Sequence, residues 1–430
     1  MEFWQSQCKR AKFYKSVKSS WKTELGKELP KLANMATSAD QNEKEFLCCY
    51  KDCGVTGGRT LAAEDARVDV RAFESKSKQK VKVVDWQEGG AATFHRACWS
   101  ELLKATKDST SSISLSDVER SMILDAKKTA EYHDSKSSVL HEAKRIAYII
   151  KNSRHCIVFT GAGISTAAGI GDFRGIDGKW TKRDKLKNYG SKGAGQAASQ
   201  KPVEQLRPTY THEALFKLME MGVIKFVISQ NTDGLHRLSG IPADQIAELH
   251  GNSFIEKCEE CERRYERSFP CRKKSTAVPE KKCPRCRINH RTGRRCSQPG
   301  CQGFLMNTII NFGDYLEKDV IGGAQTQATM ADCVLALGST LMVSPANDLV
   351  LMGQQPIRLL ICNRQTTPYD ILCLLKGPDD QPVGSRVFGD CDILMKQVMS
   401  ELLTPEELQS WEGGRKDRLV EYGLKRTTVR

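Results

Sequence analysis

The chain has 430 residues, of which 39% are apolar, enough for two or three domains and a sizeable core; a disorder-dominated protein is excluded. No apolar run approaches the ~18 residues of a membrane span, and MEFWQSQCKRAKFYK at the start lacks the apolar centre of a signal peptide, so an intracellular protein with no membrane partner is expected. In that setting the seventeen cysteines read as metal ligands and buried thiols, and a net charge of +14 favours polyanionic partners without specifying a fold.

Residues 1–44 form an extension rich in lysine and serine that carries no chemistry of its own. Residues 45–105 hold Cys48, Cys49 and Cys53, followed by FHRACW, in which His95 and Cys98 stand three apart. His-x-x-Cys presents two ligands on one turn, and a cysteine pair upstream would complete a tetrahedral zinc site, which makes this a zinc-finger-like module. The alternative is a β-rich domain with buried thiols. Residues 106–137, with the polar run TSSISLS, read as a linker.

From Val139 the apolar residues Leu140, Ala143, Ile146, Ala147 and Ile150 keep helical spacing, predicting an amphipathic helix that opens the main domain, 138–404. Cys156–Phe159 is then a short apolar run of the kind expected of a parallel strand covered on both faces. Gly161 and Gly163 let the chain turn sharply and lie against a ligand, and a helix starting there aims unpaired N–H groups at phosphate oxygens. The spacing departs from G-x-G-x-x-G, because Thr166 occupies the third glycine position. Gly171-Asp172-Phe173-Arg174-Gly175 sets an acid, an aromatic and a guanidinium beside this turn.

Three further apolar strands end in polar turns: Phe226–Ile228 before Ser229-Gln230-Asn231, Val334–Leu337 before Gly338-Ser339-Thr340, and Leu359–Ile361 before Asn363. In an open α/β sheet such turns converge on one crevice beyond the carboxyl ends of the strands. His250 offers the one side chain whose unperturbed pKa suits proton transfer near neutrality. Between Cys258 and Cys301 lie seven cysteines, a density that reads as a four-thiolate zinc site. Cys258 and Cys261 form its first pair. The second is Cys283 with Cys286 on spacing, or Cys296 with Cys301.

These motifs resemble the sirtuin family of NAD-dependent protein-lysine deacylases. GAGIS, GDFRG, Asp177-Gly178 leading to Trp180, QNTDGLH, ELHGN and LGST occur in family order, between about Leu140 and Leu403. The brief segment between GDFRG and Trp180 is similar to the class IV branch, which includes sirtuins six and seven; Gly171 departs from the family's usual proline. The resemblance implies a doubly wound, Rossmann-like parallel sheet with a smaller zinc-binding lobe at about 255–305. It places the NAD contacts at Gly161, Ala162, Gly163, Thr166, Asp172, Phe173, Arg174, Trp180, Gln230, Asn231, Asp233, Gly338, Ser339, Thr340, Asn363, Gln365 and Cys391. His250 becomes the general base on the ribose hydroxyls, with Asn231 catalytic beside it. Cys296 and Cys301 become the second zinc pair, leaving Cys271, Cys283 and Cys286 as alternates or a partial extra site. Phe312, Gly313 and Asp314, opposite Leu341–Pro345, form edges that hold an acylated substrate peptide as an added strand.

The implied activity is lysine deacylation that releases nicotinamide and O-acyl-ADP-ribose, on substrates that include histones. Two alternatives use the same residues: mono-ADP-ribosyl transfer, and a chromatin-binding scaffold with little turnover. The zinc lobe holds thirteen lysines and arginines against five glutamates, and the tail 405–430 is basic. Nucleic acid or chromatin contact through Arg285, Arg287, Arg294 and Arg295, and hence a nuclear location (otherwise cytoplasmic), are expected.

Overall fold

Six parallel strands, the central two buried along their whole length, form the sheet on which the chain is wound. The computed structural model describes residues 46–72, 82–108, 111–171, 202–271, 279–378 and 380–426, all within one unit from Lys44 to Arg430. None of the described helices is long and apolar enough to cross a membrane.

The chain opens with a small antiparallel module. Strands β1 (Phe46–Leu47) and β2 (Thr60–Leu61) pair, and β3 (Arg67–Arg71) pairs with β4 (Ala91–His95). Alternation along β3 sends Val68 and Val70 inward against Phe94, Trp99, Leu102 and Ile123, from β4, helix α1 (Arg96–Ala105) and helix α2 (Asp117–Ala126). Ser116 and Glu119 close a capping box at the start of α2, and the Glu119 carboxylate also accepts the N–H groups of Lys82 and Val83 at 2.8 and 2.7 Å. Strand β5 (Glu131–His133) adds to the free edge of β3. The segment 106–137, read as a linker, thus contributes a helix and a strand to the module.

Helix α3 (Lys136–Lys151) follows, capped by Ser135 and burying Val139, Ala143, Ile146, Ala147 and Ile150 as its periodicity predicts, whereas Leu140, read on the same stripe, is exposed. Then come β6 (Cys156–Thr160), α4 (Tyr210–Glu220), β7 (Ile224–Ser229), α5 (Leu235–Ser239) and β8 (Ile246–Glu248). A four-stranded antiparallel sheet interrupts: β9 (Ile255–Cys258), β10 (Arg264–Glu266), β11 (Arg291–Arg295) and β12 (Phe304–Asn307), in the order β10-β9-β12-β11. The chain returns through α6 (Lys318–Met330), β13 (Cys333–Leu337), β14 (Arg358–Cys362), β15 (Ser385–Val387) and α7 (Cys391–Leu402). It ends with α8 (Pro405–Gly413) and α9 (Arg415–Lys425).

The main sheet runs β15-β14-β13-β6-β7-β8, so winding proceeds one way from β6 and then the other way from β13. This is the doubly wound arrangement expected, and its switch point lies between β6 and β13. Alternate residues of β6 serve the two faces. Cys156 and Val158 pack with Ile146, Leu215 and Leu394 of α3, α4 and α7; Ile157 and Phe159 pack with Ala324 and Ala328 of α6 and with Val350.

Two attachments brace this core. Tyr132 N–H donates to Arg364 O and Asp134 N–H to Phe388 O, both at 2.8 Å, while the Asp134 carboxylate accepts the Phe388 N–H at 2.8 Å. The N-terminal module therefore grips the turns after β14 and β15. The tail, read as basic, turns three of its cations inward: Arg415 and Arg418 pair with buried Glu213 at 3.0 and 3.3 Å, and Arg426 stacks on Phe254 and donates to Gly234 O at 2.9 Å, while Lys416 and Lys425 stay exposed.

Gly251 and Gly323 set a stability contrast. Gly251 has φ +79°, and a Cβ there would lie 1.9 Å from Thr308 O, whereas a Cβ on Gly323, inside α6, meets nothing within 4 Å. Gly251→Ala should cost about 2 kcal/mol or more, and Gly323→Ala should add about 0.5–1 kcal/mol, as read from denaturant midpoints.

Candidate active-site crevice and metal centres

Parallel register aligns the ends of the main strands. Thr160 pairs with Ser229 and Leu337, Leu337 with Cys362, Cys362 with Val387, and Ser229 with Glu248, so six chain segments leave the sheet along one edge. At the switch point the first and third turns interlock. Gly161 N–H donates to Leu337 O at 3.0 Å, and Gly163 N–H to Gly338 O at 2.8 Å. A Cβ on Gly163 would sit 2.6 Å from Gly338 Cα, and one on Gly161 2.7 Å from Gly338 O. Gly338 itself is left-handed at φ +64°. What a side chain at either glycine of the first turn would strike is thus the neighbouring turn, a protein reason beside the ligand reason given above. The segment after Gly161 is a seven-residue 3-10 helix, Ala162–Ala168, shorter than the phosphate-facing helix expected.

Above this edge opens a crevice of about 840 Å³. Gly161, Ala162, Gly163 and Thr166 line it from the first turn, Gln230, Asn231 and Asp233 from the second, Gly338, Ser339 and Thr340 from the third, and Asn363 and Gln365 from the fourth. Cys391 lines it at the start of α7 but turns its thiol into the core, 3.7 Å from Cys362 O. His250, Phe312, Gly313 and Asp314 also line the crevice, as do Val343, Ser344 and Pro345. Asp172, Phe173, Arg174 and Trp180 lie outside the described residues.

Hydrogen bonds fix the second turn. Asn231 Nδ2 donates to Gly161 O at 3.0 Å and Ser165 Oγ at 3.3 Å, Ser165 Oγ donates to Asp233 Oδ2 at 2.8 Å, and Leu235 N–H donates to Asp233 Oδ1 at 2.9 Å. Ser165 was not singled out in the sequence, nor was Arg364, which lines the crevice and pairs with Asp390 and, at 3.1 Å, with Glu131. Gln230 Oε1 accepts from Ser339 Oγ at 2.9 Å, while its Nε2 is buried with no partner. Buried amides are normally satisfied, so this donor marks a place for an acceptor from a ligand.

His250 Nδ1 stands 2.9 Å from Gln230 O. A carbonyl only accepts, so Nδ1 carries the hydrogen and Nε2 keeps its lone pair. Burial holds the imidazole below its ordinary pKa against the opposing effect of that hydrogen bond. At neutral pH the ring is therefore an uncharged base with one committed and one available nitrogen.

Among the described residues, three groups of donors are spaced for metal ions. Cys258, Cys261, Cys296 and Cys301 converge, with 3.6 Å separating Cys258 from Cys301 and Cys261 from Cys296. A tetrahedral zinc with sulfur ligands at ~2.3 Å holds neighbouring sulfurs ~3.8 Å apart, so the residues present fit the ion. In the N-terminal module the set is Cys48, Cys53, His95 and Cys98, with Cys53 Sγ 3.3 Å from His95 Nδ1 and 3.6 Å from Cys98 Sγ. Cys49 is left out of it, its thiol 3.7 Å from Leu47 O. Cys283 and Cys286 join neither set and meet His290 and Asp314 in a third. Cys271 belongs to none and is a buried thiol, pushed up to about 12 by burial.

The arginines of the lobe are largely engaged within it. Arg267 and Arg294 pair at 2.8 and 2.6 Å with the fully buried Glu256, and Arg291 pairs with Glu259 at 2.7 Å. Arg285 stacks over Tyr315 and Arg295 over Phe304.

Residues 161–345 match the Sir2 family. NAD-dependent protein deacetylase SRT1 of Oryza sativa subsp. indica is 38% identical over 241 residues, covering 56% of this chain but 46% of the relative, so the chain spans about half that protein's length. NAD-dependent protein deacetylase sirtuin-7 of Bos taurus is 32% identical over 361 residues, 81% of this chain and 80% of the relative. A solved structure, Sir2 bound to acetylated peptide, is 27% identical and covers 60% of this chain and 97% of its own, with a TM-score of 0.40.

Elemental analysis of the purified full chain tests the four-cysteine centre. Cys258→Ser is expected to remove one equivalent of zinc and lower the melting temperature, because a structural ion's binding energy is folding energy. Unchanged metal content and melting temperature would dismiss the assignment.

Proposed function

This chain belongs to the Sir2 family, and on that basis we propose that its crevice binds NAD and an acylated protein lysine and transfers the acyl group to ADP-ribose. The observation that carries the reading is His250, neutral and with Nε2 uncommitted, in a crevice that the polar strand-end turns and residues 312–314 line together. When bound, NAD would supply a ribose carbon activated toward the acyl oxygen by loss of nicotinamide, with water completing the release of the free lysine amine. The protein's part is positioning and proton transfer. Asn231, held through Gly161 O and Ser165, orients the ribose end, and Gln230 Nε2 offers its unpaired hydrogen to a ligand acceptor. His250 Nε2 takes a proton from a ribose hydroxyl, and Nδ1–H anchored on Gln230 O keeps the ring aimed while charge builds on it. Extended substrate backbone lies between Phe312–Asp314 and Val343–Pro345, adding main-chain hydrogen bonds that tolerate many sequences.

Zinc at the four-cysteine centre serves the fold and not the reaction, since a closed set of four thiolates leaves no open position. Histone tails as substrates, and hence a nuclear place of work, are the finer reading. Its support is the class of relatives and the net charge of +14, tempered by the inward use of so many arginines.

His250→Ala should reduce deacylation of an acetyl-lysine peptide by about 100-fold or more while NAD affinity, measured by titration calorimetry, changes little. Because burial lowers the His250 pKa, the base form survives acidification further than a free histidine would. The acid limb of kcat/KM should therefore fall below pH ~6.5. Near-normal turnover in the variant would remove His250 from the chemistry. Mass spectrometry showing ADP-ribosylated protein without acyl-ADP-ribose would favour transfer to protein instead.

A further inference from the structure

We propose that Cys283, Cys286, His290 and Asp314 form a further divalent-metal site, suited to zinc, which fixes the substrate-side wall of the crevice. Cys283 Sγ lies 3.1 Å from Asp314 Oδ1, Cys286 Sγ 3.2 Å from His290 Nε2, and His290 Nε2 3.6 Å from Asp314 Oδ2; all four donor atoms fall within 4.8 Å of one another. Tetrahedral bonds of ~2.0–2.3 Å separate their ligand atoms by ~3.3–3.8 Å, so the set already has close to the needed span. Two thiolates, an imidazole and a carboxylate are donors zinc accepts, and four protein ligands make a closed, structural site.

The backbone gives an independent reason. In the four-cysteine centre, Glu260 N–H donates to Cys258 Sγ at 3.4 Å, Cys258 N–H donates to Arg263 O at 3.0 Å, and Glu262 is left-handed at φ +59°. The turn at Cys283 repeats each feature at the same offset. Arg285 N–H donates to Cys283 Sγ at 3.4 Å, Cys283 N–H to Ile288 O at 2.9 Å, and Arg287 has φ +63°. A second such bond runs from Ile288 N–H to Cys286 Sγ at 3.4 Å. N–H groups aimed at sulfur stabilise thiolate, the form that binds metal. A left-handed residue other than glycine costs roughly 1–2 kcal/mol, so the conformation is kept against its own strain.

The outer partners are in place as well. His290 Nδ1 is 3.3 Å from Asn307 Oδ1, which fixes the tautomer with Nε2 toward the cluster, and Asn307 Nδ2 holds His290 O at 3.0 Å. Asp314 Oδ2 also accepts the Asn311 N–H at 3.0 Å. Asp314 thus reaches the crevice wall with its carboxylate turned away to the cluster. Phe312 and Gly313, which line the crevice, ride on the turn that this carboxylate ends, and Arg285 of the same Cys-x-x-Cys turn donates to Gly313 O at 3.1 Å. An ion here ties the lobe to the peptide wall; this second step rests on the deacylase reading, whereas the site itself does not.

The test is metal counting on the full chain by elemental analysis, backed by cobalt replacement. Wild-type protein should hold three divalent ions. His290→Gln, and Cys283→Ser with Cys286→Ser, should each hold two and lose the share of the thiolate-to-cobalt band that two thiolates contribute. His290→Gln keeps the reading testable if the double variant fails to fold. A folded His290→Gln with three ions, or a wild type with only two that Cys258→Ser and Cys53→Ser account for, would overturn the site. With the ion lost, the KM for acetyl-peptide should rise several-fold and that for NAD much less. An unchanged peptide KM would overturn the link to the wall, and absent turnover in the wild type would count against the deacylase reading while leaving the metal count decisive.

Discussion

Three glycines pressed backbone to backbone at the switch point set the terms for everything above the sheet. Gly161 and Gly163 lie so close to Gly338 that no Cβ fits between them, which joins the turns after β6 and β13 into one surface. A parallel sheet that reverses its winding leaves a gap at this place, because neighbouring connections run to opposite faces. Closing its floor with backbone alone exposes N–H and C=O groups to whatever binds and leaves the side chains of the outer turns to define the pocket.

Upon that floor the polar groups are arranged to be rigid before a ligand arrives. Gly161 O accepts from Asn231, Asn231 meets Ser165, and Ser165 donates to Asp233, so the first two turns are held in one chain of hydrogen bonds. Such groups need no reorganisation when charge develops nearby, which is where a preorganised site gains over water. Among the described crevice-lining residues, the buried unpartnered donor of Gln230 and the uncommitted nitrogen of His250 are the exceptions.

Much of this could be read from the sequence because it rests on local patterns. Four apolar strands ending in small polar residues, and one helix with a regular apolar stripe, announce themselves within a dozen residues. What escaped notice depends on distant partners. Nothing in Glu131-Tyr132-His133 signals a strand, since its pairing comes from β3 far upstream. Nothing near Cys283 points to Asp314, which reaches it from beyond β11 and β12. The tail looked like a basic surface because its acidic partner, Glu213, sits in another helix. Glycine spacing likewise reports a lack of room without saying whether ligand or neighbouring strand fills it.

The contact between β5 and the crevice rim makes the N-terminal module more than an appendage. Arg364, on the rim, is held by Glu131, and the turn at Phe388 is held by Asp134, both upstream of the region that matches the family. A ligand that requires Arg364 in place draws part of its affinity from the order of a domain it never touches. Linked equilibria are reciprocal, so filling the crevice must strengthen the hold of that domain on the core to the same degree.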